Sequence, residues 1–258
     1  MQFRLLTTGL NSASYNMALD ESVLEHIANG ESPPTLRFYG WKPAAISIGY
    51  FQSLEEEVDL AACQKYGVDF VRRITGGGAV LHEHEITYSI HIPEKLAAEL
   101  GVPMGILESY EKICGGILKS TALLGLDAQF IPLNDIIILQ NGTPKKISGN
   151  AQTRKKGVIL QHGTILLKVD VDKMFELLKV PDEKLKGKMI ENVKQRVSSL
   201  SQALNREVSF EEALETLKKG FAEEFPAAEF KPGELNDNEK TLLEKLKMEK
   251  YGAETLNE

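Results

Sequence analysis

Residues 69–92 read DFVRRITGGGAVLHEHEITYSIHI. The run 69–73 reads as a strand, 75–78 as a glycine turn and 79–92 as a further β stretch. Strands grouped in this hairpin-like way, rather than in regular β-α-β alternation, argue against a doubly wound nucleotide fold. Upstream, 53–66 opens on a serine and three consecutive glutamates suited to the positive end of a helix dipole, and Gly67 ends it. Strand-like runs at 35–39 and 44–50 follow the Pro33-Pro34 break. Before it, Met17, Leu24, Ile27 and Ala28 fall on one side of a helix capped by Ser14 and stopped by Gly30, behind an opening strand at 4–7. Downstream, Leu107, Tyr110, Ile113, Ile117 and Leu118 mark a helix over 105–124. Asn141-Gly142 marks a hairpin between 136 and 147, and 163–169 reads as another strand. After Asp170 the pattern changes to short charged helices, the last over 238–250. The expected fold is α/β (α+β): a mixed sheet with flanking helices and a short helical C-terminal tail.

With 258 residues, 42% hydrophobic and 26% charged, the chain can bury a core, as one large domain or a domain of ~180 residues with an appendage. A net charge of −7 argues against a nucleic-acid binder. No apolar run approaches a membrane span, and the N-terminal stretch lacks an h-region and cleavage site, so a cytoplasmic location without membrane partners is expected. Cys63 and Cys114 are far apart and form no C-x-x-C pair, which excludes a cysteine zinc site and makes a disulfide framework a poor reading.

Three segments carry chemistry. In Arg72-Arg73-Ile74-Thr75-Gly76-Gly77-Gly78-Ala79, glycines let backbone N–H groups approach a ligand and the arginines can pair with a carboxylate or phosphate. The plainer alternative is a glycine hairpin with exposed arginines. Neither the P-loop nor the dinucleotide fingerprint is present. Between Lys145 and Lys156 lie five cations and no acid, in a chain acidic overall, which suggests local anion binding or a solvated basic loop. Leu133-Asn134-Asp135 can cap a turn or hold Mg2+ through one carboxylate. His82 and His84 have the spacing of one strand face but lack a third metal ligand, and His162 stands at a strand start.

Taken in order, Asn16-Met17-Ala18-Leu19-Asp20-Glu21, the segment from Arg72 to His82, Leu133-Asn134-Asp135, Lys146-Ile147-Ser148-Gly149-Asn150-Ala151 and His162-Gly163-Thr164-Ile165-Leu166 resemble the lipoate–protein ligase A family. The resemblance spans about residues 3–200. It implies a fold like those of biotin ligases and class II aminoacyl-tRNA synthetases, with an acyl-adenylate-forming and transfer domain over 1–200 and a tail over 201–258 packed on or extending from it. It also implies ATP-dependent, AMP-forming activation of lipoate, with Mg2+, and transfer to a lysine of an apo lipoyl domain. That domain would belong to a glycine-cleavage carrier protein or a 2-oxoacid dehydrogenase acyltransferase subunit. By motif, Arg72, Arg73, Gly76, Gly77, Gly78, Ala79, His82, Gly149, Asn150 and His162 would line the acyl-adenylate pocket. Lys146 would meet the carboxylate and α-phosphate, and Asn134 with Asp135 would serve phosphates and Mg2+.

Two departures qualify this. The segments 81–89 and 151–163 look closer to the related octanoyltransferases, which take octanoate from acyl carrier protein through a cysteine thioester. Their nucleophile falls near Pro132-Leu133-Asn134-Asp135, where no cysteine occurs. That absence favours the ligase, leaving transfer from an acyl or lipoyl carrier protein, or a non-enzymatic lipoate or acyl-adenylate binder, as alternatives. The other departure is the lack of the additional C-terminal domain that many ligases of the family carry. A small accessory subunit is therefore an expected partner, unless this version manages without one.

Overall fold

The computed structural model describes residues 1–180 and 183–252; the end of the expected tail, 253–258, lies outside the described residues. Strands β1 (Gln2–Asn11), β2 (Thr35–Trp41), β3 (Ala45–Ile48), β4 (Asp69–Arg72), β5 (Val80–His82), β6 (Glu85–Pro93), β7 (Ala128–Ile131), β8 (Asp135–Gln140), β9 (Thr143–Lys155), β10 (Val158–Leu166) and β11 (Glu229–Pro232) form two sheets. The larger is eight-stranded and mixed, in the order β11-β1-β2-β6-β10-β9-β8-β7, and the smaller runs β4-β3-β5. β1 is parallel to both β2 and β11, whereas β2, β6, β10, β9, β8 and β7 follow one another antiparallel. The mixed sheet with flanking helices is thus as expected.

Strand β6 shows how the sequence places the two cores. All nine of its residues are buried. Successive side chains point to opposite faces, so Ile86, Tyr88, Ile90 and Ile92 enter a core with Phe38, Ile113, Ile117 and Phe221, under the helices Ile106–Leu123 and Phe210–Glu224. Glu85, Thr87, Ser89 and His91 face the other way, towards the helix Ala13–Ala28. That helix contributes Met17, Leu19, Val23 and Leu24 to a second core with Tyr39, Trp41 and Leu160. It also sends Asn16 and Asp20 into the polar side of β6, and there the site is built. No described helix is long and apolar enough to cross a membrane.

Local chemistry explains several differences from the sequence reading. The first helix is capped by Ser12, which accepts from the Tyr15 amide, so Ser14 is already helical. The stretch 53–66 is two helices, Leu54–Glu57 and Leu60–Tyr66, because Val58 leaves to pair with Leu178 and Asp59 caps the second. The stretch 79–92 divides between β5 and β6, which lie in different sheets. His82 is consequently buried at the end of β5, and His84, between the two strands, is half exposed. The tail contributes strand β11 as well as helices. The helix Asp237–Glu249 starts with a capping box between Asn236 and Glu239. Buried Glu239 also takes both Arg4 Nη groups, at 2.7 and 2.6 Å, so the tail closes on the first strand.

His91 gives the fold a pH dependence. Its Nε2 donates to the Asp20 carbonyl at 3.0 Å, its Nδ1 has no partner, and burial pushes the imidazole down to about 4. An unfolded chain takes up this proton near pH 6.5, the native protein only near 4. Between those values the unfolded state binds more protons, so stability falls as pH falls. The urea midpoint is expected to drop between pH 7 and 4.5, His91 supplying about 2–3 kcal/mol of the loss. A flat midpoint across that range would show that His91 is not held neutral.

Candidate active site

The glycine turn is held by its own arginines. Gly77 has φ +99°, and a Cβ on Gly49 would collide with the Gly77 carbonyl, so β3 and the turn meet backbone to backbone. Arg73 is buried beneath them. Its Nη1 donates to the Ser47 carbonyl at 2.9 Å, and its Nη2 to the Gly76 and Gly78 carbonyls at 2.8 Å. Burial pushes its guanidinium down to about 10. Arg72 Nη1 donates to the carbonyls of Gly49, Tyr50 and Gln52. Both groups the sequence offered as anion receptors are therefore spent on carbonyl oxygens that shape the loop.

Beside this turn lies a cavity of about 350 Å³. Of the residues singled out from sequence, Arg73, Gly77, Gly78, Ala79, His82, His84, Asn134, Lys146, Gly149, Asn150 and His162 line it; Arg72, Gly76 and Asp135 do not. Met17, Trp41, Val80, Leu81, Leu166 and Met174 supply apolar wall. His82 stacks on Trp41 with ring centroids 4.0 Å apart. Its Nδ1 meets Glu85 Oε1 at 2.6 Å and its Nε2 meets Ser47 Oγ at 2.7 Å. Thr87 donates to the same Glu85 oxygen at 2.7 Å and accepts from Trp41 Nε1 at 2.8 Å. The network fixes the rings of the wall, so rigid aromatic surface faces the cavity.

His162 is fixed from behind. Its Nε2 meets Thr75 Oγ1 at 2.7 Å and its Nδ1 approaches Asp20 Oδ2 at 3.4 Å. Asp20 also receives Arg37 Nη1 and Ser89 Oγ, each at 2.8 Å, and Tyr39 OH at 3.1 Å. Burial alone would raise this carboxyl, but Arg37 and the His162 hydrogen bond outweigh it and hold Asp20 well below the usual carboxylate range. For His162 burial prevails over Asp20 and pushes the imidazole down. Asp20, Arg37, Ser47 and Glu85 were not among the site residues read from sequence. The available signal was the polar pair Asn16 and Asp20, one helical turn apart between Met17, Leu19, Val23 and Leu24.

Lys146 stands on an irregular strand. Ile136 pairs with Ser148 but Ile137 with Lys146, so Ile147 is an extra residue that bulges β9. Bulges re-aim side chains, and Lys146 lies over Gly149, where a Cβ would press on its Cε and Nζ. Its Nζ is 2.7 Å from Asp135 Oδ1, both side chains being more than a third exposed. Asn150 locks the neighbouring turn, donating through Nδ2 to the Asn134 carbonyl at 2.9 Å and accepting from Tyr88 OH at 2.8 Å. Asn134 donates back to the Asn150 carbonyl. The pair expected to hold Mg2+ therefore offers one carboxylate, already matched by a lysine, and an amide turned to the backbone. Among the described residues no group of three His, Cys, Asp or Glu side chains suits a metal ion.

Neither thiol reaches the cavity. Cys114 is buried in the core under β6, where burial pushes it up to about 12. Cys63 is buried beneath the small sheet and pushed to about 11 by burial and Asp59. Both are protonated at neutral pH and inert.

A lysine at an apolar cavity, walled by a glycine turn and a His-Gly strand, is matched by the model of the lipoyl protein ligase A/B catalytic domain over residues 12–222. The chain belongs to that family. Relatives of this lipoyl ligase A/B chain include octanoyltransferases LipM from Anoxybacillus flavithermus, 39% identical over 99% of this chain and 97% of that one, and from Kyrpidia tusciae, 40% identical over 99% and 98%. The LipM of Bacillus subtilis is 37% identical over 99% and 97%. Among solved structures, a bi-partite lipoate protein ligase from Thermoplasma acidophilum superposes with a TM-score of 0.85 at 32% identity, covering 99% of this chain and 96% of that one. A lipoate-protein ligase A bound with ATP gives 0.78 at 30%, covering 96% and 94%. The family and its enzymatic character are as the motifs implied. The ATP-dependent, AMP-forming ligase is not: the higher identities, end to end, are to octanoyltransferases, and they overturn that expectation. The octanoyltransferase-like segments 81–89 and 151–163 agree with these identities; the absence of a cysteine near Pro132-Leu133-Asn134-Asp135 does not.

Proposed function

We propose that this enzyme transfers an octanoyl group from a carrier-protein thioester to a lysine of a lipoyl domain. The observation that carries the reading is the end-to-end identity of 37–40% to octanoyltransferases. The site is consistent with the chemistry. A thioester is already activated, so no phosphate need be bound, and both loop arginines are occupied with backbone oxygens. An apolar cavity of about 350 Å³ lies at the lower end of the ordinary range for small-ligand pockets and suits an unbranched eight-carbon chain. Lys146 marks its polar end, where a cation can stabilise charge developing on the thioester oxygen.

The test is intact-mass analysis of an apo lipoyl domain incubated with this enzyme and octanoyl acyl carrier protein, without ATP. Addition of one octanoyl group is the expected result. Modification only when free acid and Mg·ATP are supplied would sink the transferase reading.

A further inference from the structure

We infer that the helix Lys186–Arg196 is the docking surface for the donor of the transfer proposed above, an acidic carrier protein that presents its acyl thioester on a phosphopantetheine arm. The inference rests on that reading and names where its donor binds. The chain as a whole is acidic, with a net charge of −7. Residues 184–196 nevertheless hold five cations, Lys184, Lys186, Lys188, Lys194 and Arg196, against one acid, Glu191. An acidic protein is repelled by the chain's overall charge and attracted to this segment, which sets where such a partner lands.

The fold brings the segment to the cavity. Val197, directly after the helix, pairs with Lys146 in a short parallel bridge, and the Ser198 amide donates to the Lys146 carbonyl at 2.9 Å. Val193 and Val197 line the cavity together with Lys146. Half-buried Lys186, Met189, Ile190 and Val193 recur at helical spacing as one stripe towards the protein, and no residue of the helix is fully buried. Lys188 and Arg196 fall outside that stripe. Both are exposed, neither lines the cavity, and among the described residues neither has a hydrogen bond or an ion pair. Lys194 meets Asp172 at 2.6 Å in an exposed pair that solvent screens. The cations at the far end of β9 are not part of this face: Lys155 pairs with Glu21 and Lys156 with Glu25.

The donor fits this face better than the acceptor does. Its thioester ends an arm joined to the carrier by a phosphodiester, so an anion follows the acyl group towards the cavity. A guanidinium meets phosphate oxygens through paired hydrogen bonds, and Arg196 stands one residue from Val197 in the cavity wall. The acceptor brings a lysine, whose own charge gains nothing from a cationic rim. Charges at the rim of an interface act on encounter and on salt dependence, not on the chemical step.

The test compares the full-length enzyme with its Lys188→Glu/Arg196→Glu variant in transfer from octanoyl acyl carrier protein to an apo lipoyl domain, without ATP. The variant should raise the donor KM by about 10- to 100-fold, within the span of electrostatic steering, and leave kcat and the acceptor KM within about twofold. Lys188→Gln/Arg196→Gln, which removes the charges without reversing them, should fall between. Raising the ionic strength should lower the wild-type kcat/KM for the donor and hardly move that of the charge-reversed variant. A donor KM equal to that of the wild type would overturn the docking surface, as would a loss confined to kcat or to the acceptor KM, and each of these leaves the transferase reading intact. No amide product from the wild-type enzyme at any donor concentration would instead remove the transferase reading, and the inference with it.

Discussion

Lys146→Ala is expected to lower octanoyl transfer by about 100- to 1000-fold, the usual cost of removing one group that stabilises an oxyanion. The thioester oxygen gains charge only in the transition state, so the loss belongs in kcat more than in donor KM. Stability should hardly change. The Lys146–Asp135 pair at 2.7 Å is partly exposed on both sides, and such pairs contribute about 0–1 kcal/mol. The Lys146 backbone carbonyl, which accepts from Ser198 at 2.9 Å, is untouched by the substitution. Steady-state rates and a urea midpoint measured together make the check: full activity would remove Lys146 from the chemistry, and a large drop in midpoint would make it structural.

The second large effect is on folding. Asp20→Asn should destabilise the protein by about 3–5 kcal/mol at pH 7, because it leaves the Arg37 guanidinium buried without its counter-charge. Arg37 Nη1 donates to Asp20 at 2.8 Å, both groups are almost wholly buried, and the remaining partners of Arg37 are neutral: Asn16 and Thr8. The site should loosen as well, since Asp20 backs His162, which in turn holds Thr75 in the glycine turn. Combining it with Arg37→Leu should cost less than the sum of the two, the mark of a coupled pair. Chemical denaturation of the four proteins measures this; strict additivity would show that the two charges do not act as a unit.

The two effects divide what was legible in the sequence from what was not. Lys146, Asn150 and His162 stood out because their neighbours form ordered motifs. The helix Ile106–Leu123 and the hairpin of β8 and β9 followed from apolar periodicity and from Asn141-Gly142. Asp20–Arg37 did not, because nothing local pairs residues 17 apart across a helix and a strand. The first half of β10 was hidden by the basic run before it. Lys156 and Gly157, at φ +54° and +73°, turn β9 directly into β10, a hairpin turn without the asparagine that usually announces one. The break between β5 and β6 was likewise set from afar, by the Leu167 and Lys168 amides donating to the His84 carbonyl. Arg72 and Arg73 mark the limit most clearly: the residues promise guanidinium groups, but only the surrounding backbone decides what those groups bind.

The clasp between Arg4 and Glu239 has a consequence for biosynthesis. The partners are 235 residues apart, and β11, which completes the same edge of the sheet, begins at Glu229. A ribosome releases the first strand long before either arrives. Until then Arg4 lacks its carboxylate and one side of β1 has open hydrogen-bonding groups, the kind of edge on which nascent chains aggregate. The β1 edge can therefore be covered only once translation has passed residue 232, and the Arg4 clasp can close only after residue 239.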